Sequence, residues 1–335
     1  MGDSIHTMNE KVEELIHDAY ESMKNGDEGS ALGNLREALR TDFENQEVLY
    51  ALKCLNWWLE KLKRLDDFHD PYEQGGYILS QWKPYYEFLE RIGDAFEKGD
   101  DYEIGDDFEN GDAFDSCQYA LKRFVFSRAL HYYRTLFRDR VNQHDPLLLL
   151  QIGRCCKGAG DWEEALKHLE QAGRYRRDDS AILSELADVY ALLGDERAAK
   201  VLFREAFYLD PQVIDLSAME SELILRLRDK VRELGHNGNE LAEWIPVWGC
   251  VWGIFSIKRP LKPVEVGRLK QSILSLENEN GSKSGGNPYT RPRLLNRYFW
   301  LIDHCEYNRD TSGLKDETLL KIKFIDPVVH GHYRT

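Results

Sequence analysis

Two Gly-Asp pairs, 34 residues apart, constrain this chain more than any other feature. After Gly160-Asp161, Ala165, Leu169 and Ala172 follow at offsets of +5, +9 and +12; after Gly194-Asp195, Ala199, Phe203 and Ala206 follow at the same offsets. Upstream, Ile152, Gly153 and Cys156 in one copy are matched by Leu186, Ala187 and Tyr190 in the other. The apolar spacing predicts a helix on each side of each pair. Glycine ends the first helix because it enters the left-handed region without steric cost. The aspartate accepts free amide protons of the next helix. Small residues at Gly153/Ala187 and Ala165/Ala199 let the paired helices approach, and Leu169/Phe203 fill the space between copies. A fixed period of this length is the mark of stacked supersecondary units.

The pattern resembles the tetratricopeptide repeat, a helix–turn–helix unit. The resemblance covers residues 145–211, closed by Pro211 in the second copy where the first has Arg177. It extends more loosely to residues 10–44, where Gly26-Asp27 is followed by Ala31, Leu35 and Ala38, with Ala19 in place but Asp18 where a leucine belongs. It implies an all-α, right-handed solenoid with flanking capping helices, in which each repeat's first helix lines a concave face that binds a peptide or helix. Carried onto this chain, that face consists of Leu147, Leu150, Arg154 and Lys157, then Ala181, Ser184, Asp188 and Ala191. The expected partner groove is therefore Leu147, Leu150, Arg154, Lys157, Ser184 and Asp188. Family members that grip chaperone tails use Lys and Asn where this chain has Leu150 and Arg154, and a second Asn where it has Glu185. A chaperone tail is not the expected partner. Two clear repeats also fall short of the roughly three that stability requires. The alternative is that the chain's own C-terminal helices fill the concavity.

The stretch KGDDYEIGDDFENGD (residues 98–112) holds seven carboxylates and three glycines. Counted from Gly99-Asp100, Ile104, Phe108 and Gly111 fall at the repeat offsets. A solvated acidic loop, a degenerate repeat helix and a site for a metal or a basic partner all remain open readings. A calcium loop would need an oxygen ligand where Phe108 stands.

Elsewhere every strong period is near 3.6 residues. Helices are expected over Gln46–Phe68, Tyr85–Lys98, Ser116–Asp139 and Ser217–Gly235, with further ones towards the C-terminus and a flexible loop at 281–288. In NELAEWIPVWGCVWGIFSI, Trp244, Trp248, Trp252 and Phe255 share one helical face: a second partner surface if exposed, a packing seam if buried. Gly249 and Gly253 read as a GxxxG pair for close helix approach. The expected organisation is an acidic helical region (1–115) with one degenerate repeat and an acidic loop (94–115), the repeats (116–215), and a C-terminal helical region (216–335).

Net charge is −15, and residues 1–115 carry 29 acids against 11 bases. Such a chain repels phosphate backbones, so nucleic acid is not an expected partner. Trp244–Ile257 is apolar for fourteen residues, against the ~20 that span hydrocarbon. The start of the chain lacks the basic and apolar regions of a signal peptide. None of the six cysteines forms a CxxC pair, which fits reduced thiols in the cytoplasm. Nucleotide, zinc-protease and hydrolase motifs are absent. His330 and His332 would leave a metal site incomplete, so neither metal nor cofactor is expected. The chain reads as a non-catalytic protein–protein interaction module: an adaptor, scaffold or assembly subunit. The alternative is an enzyme or enzyme subunit with its site in the C-terminal region.

Overall fold

Aspartate and asparagine open many of the helices, each accepting a backbone amide proton of the first turn: Asp27 from Ser30, Asn45 from Val48, Asp70 from Tyr72, Asp145 from Leu147, Asp179 from Ala181 and Asp195 from Ala198. In the computed structural model, residues 2–97, 111–255, 260–281, 287–309 and 312–334 are described, and they form helices and turns with no strand among them. In chain order the helices are α1 (Gly2–Lys24), α2 (Glu28–Thr41), α3 (Gln46–Leu62), α4 (Pro71–Ser80), α5 (Trp82–Glu97), α6 (Gly111–Phe137), α7 (Pro146–Gly158) and α8 (Trp162–Tyr175). They continue as α9 (Ser180–Leu192), α10 (Glu196–Leu209), α11 (Glu222–Glu233), α12 (Leu241–Val251), α13 (Pro263–Asn280), α14 (Thr290–Tyr307), α15 (Leu314–Ile325) and α16 (Pro327–Arg334). The all-α class read from the sequence is the observed one.

The Gly-Asp turns are built alike. Gly26, Gly160 and Gly194 have φ of 79°, 82° and 87°. At the two clear repeats, Gly160 N–H donates to Lys157 O and Asp161 N–H to Cys156 O, as Gly194 N–H does to Ala191 O and Asp195 N–H to Tyr190 O. That double closure satisfies carbonyls the helix end would leave orphaned. Gly26 and Asp27 repeat it on Met23 and Ser22. The +5, +9 and +12 positions of all three copies are fully buried: Ala31, Leu35 and Ala38; Ala165, Leu169 and Ala172; Ala199, Phe203 and Ala206. The acidic stretch from 98 to 110, with its repeat-register residues Ile104 and Phe108, and residues 282–286 of the glycine-rich loop lie outside the described residues.

The chain divides into two compact units, Met1–His168 and Leu169–Thr335, and the expected boundaries at 115 and 215 fall one in each. In the first unit α6 packs against α1, α3, α4 and α7. Gly75 makes one of these contacts possible, because a Cβ there would stand 2.7 Å from the Tyr133 ring. This core holds a neutral polar cluster. Gln118 donates to Tyr50 Oη at 2.8 Å and accepts from Tyr85 Oη at 3.0 Å, beside the buried thiols of Cys54 and Cys117.

In the second unit α12 packs against α10, α11, α14 and α16, and this core includes charged groups. The fully buried Glu243 accepts from Arg293 Nε at 3.0 Å and from Gln212 Nε2 at 3.0 Å. Buried Arg204 pairs with Asp303, its guanidinium 4.5 Å from the Trp300 ring centre. From α14, Asn296 and Arg297 donate to the carbonyls of Phe207 and Tyr208 at the C-terminal end of α10. Cationic and amide donors there satisfy the last turn and suit its negative dipole end.

For residues 240–255, burial selects one of two open readings and one expectation is corrected. Trp244, Trp248 and Phe255 are buried and Trp252 is half-buried, inside the hydrophobic cluster of this unit. They are a packing seam and not a partner surface. Nor do the glycines pair as a helix–helix motif. The helix ends at Val251, Gly253 takes φ 71° to turn the chain, and Phe255 folds back so that a Cβ on Gly249 would meet its ring at 2.4 Å.

A candidate protein-binding groove

The residues expected to line the concave face have unequal surroundings. On α7, Leu147 is 40% exposed and Arg154 half-buried, but Leu150 and Lys157 are buried. On α9, Ser184 and Asp188 are fully buried, and Ala181 and Ala191 are half-buried. Ser184 Oγ is turned back onto its own helix, donating to Ala181 O at 3.1 Å. The carboxylate of Asp188 accepts from Glu220 N–H at 2.9 Å and Ser221 N–H at 2.8 Å. Ser221 is the N-cap of α11 and supplies no side-chain cap of its own. Asp188 therefore caps α11 from a neighbouring helix, placing a negative charge at its positive dipole end. The side of α9 carrying Ser184 and Asp188 is thus covered by the chain's own segment entering α11. The physical reason is that the segment entering α11 needs an acceptor for two amides.

An open concavity lies elsewhere on the same helix. A groove of about 740 Å³ is bounded by the C-terminal half of α8, by α9 and by the first half of α10. Leu183, Leu186, Ala198, Val201 and Leu202 supply its apolar lining, with Gly173 on the α8 side. No Cβ crowds that side, since one built on Gly173 would meet nothing closer than Ile182 Cγ2 at 3.9 Å. Tyr190 donates to Glu170 Oε1 at 2.8 Å across the groove. Burial, reinforced by the Glu170 carboxylate, pushes its hydroxyl up to about 12, so it remains a donor throughout the neutral range. The rim carries Arg174, Arg177 and Arg197. Arg174 sits 3.6 Å from Glu170, while Arg177 and Arg197 are exposed and have no ion pair among the described residues. Asp195 is held in its capping bond to Ala198 N–H at 3.0 Å.

Chemically the groove can bury apolar side chains and present guanidinium groups. It holds no nucleophile–base pair. Several carboxylates of the C-terminal region are held in ion pairs: Asp303 with Arg204, Glu243 with Arg293, Asp326 with Arg291, Glu306 with Lys315 and Glu277 with Lys321. His332 lies edge-on to Trp248, with centroids 5.6 Å apart. Among the described residues no three His, Cys, Asp or Glu side chains are grouped to hold a metal ion, and no helix is long and apolar enough to cross a membrane.

The face expected from the sequence lies on α7 and α9 and does not include Arg174, Arg177 or Arg197, which border this hollow. One signal for the rim was present: Arg177 occupies the position at which the second copy has Pro211. No curated protein matches the chain. The family model of the tetratricopeptide repeat matches residues 157–223, a span that contains every residue of the groove. With three identically built Gly-Asp turns, nine fully buried repeat positions and this match, residues 157–223 are a tetratricopeptide-repeat segment.

Proposed function

We propose that the protein is a non-catalytic interaction module, an adaptor, scaffold or assembly subunit of the cytoplasm, that binds a protein segment in the groove between α8, α9 and α10. The observation that carries this reading is an open apolar concavity inside a segment of a family of protein-binding repeats. Its volume is in the range of sites that enclose a few side chains. The cytoplasmic placement draws support from five buried cysteines, none of them in a disulfide, which suit a reducing compartment. In the C-terminal region the two carboxylates that border a smaller hollow, Asp303 and Glu306, are engaged by Arg204 and Lys315.

The test fills the groove without removing any core atom. Ala198 is half-buried in its lining, so Ala198→Trp introduces an indole into the open volume. Affinity capture from native lysate with mass spectrometry would compare wild type, Ala198→Trp and an Arg154→Glu variant on α7. A partner held by wild type and Arg154→Glu but lost by Ala198→Trp, at unchanged helical content, is the expected result. A partner indifferent to Ala198→Trp but lost with Arg154→Glu moves recognition back to α7.

A further inference from the structure

Resting on that reading of the groove, we infer that its occupant is an acidic amphipathic helix. Three observations converge on this class. The lining is apolar, contributed by Leu183, Leu186, Val201 and Leu202, so the ligand inserts aliphatic or aromatic side chains. The rim is cationic once internal bonds are counted. Three guanidiniums, of Arg174, Arg177 and Arg197, stand against the two carboxylates of Glu170 and Asp195; Glu170 is already engaged by Tyr190 and Arg174, and Arg177 and Arg197 are exposed and in no ion pair among the described residues. Finally, the groove walls are helices, with no sheet edge to which an extended peptide adds a strand, so the available mode is a helix laid in a groove.

Charge complementarity then selects the partner. Guanidinium groups take carboxylates in two-point contacts. Arg174 is in the last turn of α8, Arg177 in the turn that follows it, and Arg197 stands on the α10 wall. A helix with leucines on one face and glutamates flanking them would seat the leucines on the floor and offer carboxylates to both walls. A nucleic acid would match the arginines but leave the apolar floor uncovered. The chain as a whole is acidic, at −15, so an acidic ligand binds because of this patch and is repelled by most of the remaining surface.

The experiment uses the full chain and fluorescein-labelled probes followed by anisotropy. One is a peptide with leucines at helical spacing and glutamates elsewhere; a second carries lysines in place of the glutamates; a third is a single-stranded oligonucleotide of like charge. Expected are saturable binding of the acidic peptide that weakens with added salt, its loss in Ala198→Trp, and affinity roughly tenfold or more lower in Arg177→Glu/Arg197→Glu. Melting temperature and helical content are measured for each variant, and Arg177→Lys/Arg197→Lys should recover part of the affinity. Equal binding of the lysine peptide, affinity unchanged in the Arg→Glu variant, or binding unaffected by Ala198→Trp would each overturn the inference, as would the oligonucleotide competing at the same arginines or no peptide binding at all. These results leave the groove reading separately testable. A captured partner lost by Ala198→Trp but indifferent to the arginines keeps the groove and discards the acidic class.

Discussion

The two sides of α9 carry the same helix into opposite surroundings. On one, Ser184, Glu185 and Asp188 are fully buried and polar, and Asp188 holds the backbone entering α11. On the other, Leu183, Leu186 and Tyr190 are mostly apolar and line an open groove. The polar side is the closed one and the apolar side is the open one, the reverse of what simple partition between water and core would give. Burial of a carboxylate is tolerable where it satisfies two amides at a helix start. Apolar side chains at an open groove are what the proposed binding of another chain would cover. Which side of a repeat helix stays free is thus decided by where the following chain needs hydrogen-bond acceptors.

The contrast can be broken most severely at Asp188. Asp188→Ala should lower the unfolding free energy by about 3 kcal/mol, since two buried amides at the start of α11 lose a charged acceptor. Urea unfolding measures the loss, and amide exchange should show α11 opening first. A cost under about 0.5 kcal/mol would mean that the closed side is not held by this carboxylate. On the open side, Tyr190→Phe should cost about 1 kcal/mol, the worth of one partly solvated hydrogen bond, with the fold and the groove retained.

A smaller, pH-dependent difference is expected beyond the repeats. His236 stacks on Trp244 with centroids 4.2 Å apart, and burial holds it below its ordinary value of 6.5 against the opposing pull of Glu240 and Asp326 and with the help of Arg291. The unfolded chain therefore takes up this proton first as pH falls. Its contribution is intact above about 6.5 and is lost progressively below it. Melting temperature should decline over that window, and His236→Gln should flatten the slope. Smallest of all, Arg177→Glu/Arg197→Glu should change stability by no more than about 0.5 kcal/mol, because both side chains are exposed. A large thermal effect would show that the rim is structural.

Much of the fold was legible because the repeat depends on local rules. A glycine with positive φ, an aspartate cap and small or apolar residues at three offsets need only sequence spacing to be seen, and all nine offset positions are buried. The groove was legible only in part. Asp188 occupies a position from which a polar side chain often faces a partner, and nothing in its neighbours distinguishes that from a cap for a helix some thirty residues on. Trp244, Trp248, Trp252 and Phe255 keep helical spacing, yet the helix stops at Val251, and Gly253 ends it instead of pairing with Gly249. Arg174 and Arg197 are ordinary exposed charges in sequence and acquire meaning only because α8 and α10 flank the same hollow.

The donors that α14 lends to the end of α10 have a consequence for how the array can grow. Asn296 and Arg297 occupy the carbonyls of Phe207 and Tyr208, and Arg293 reaches Asp210 at 3.8 Å. A third unit spliced in after Val213 would have to evict these side chains and strand Glu243 without its guanidinium. The repeat run is sealed at this end like a threaded rod with a welded nut: lengthening it by gene duplication or by design has to happen upstream, between units already in place.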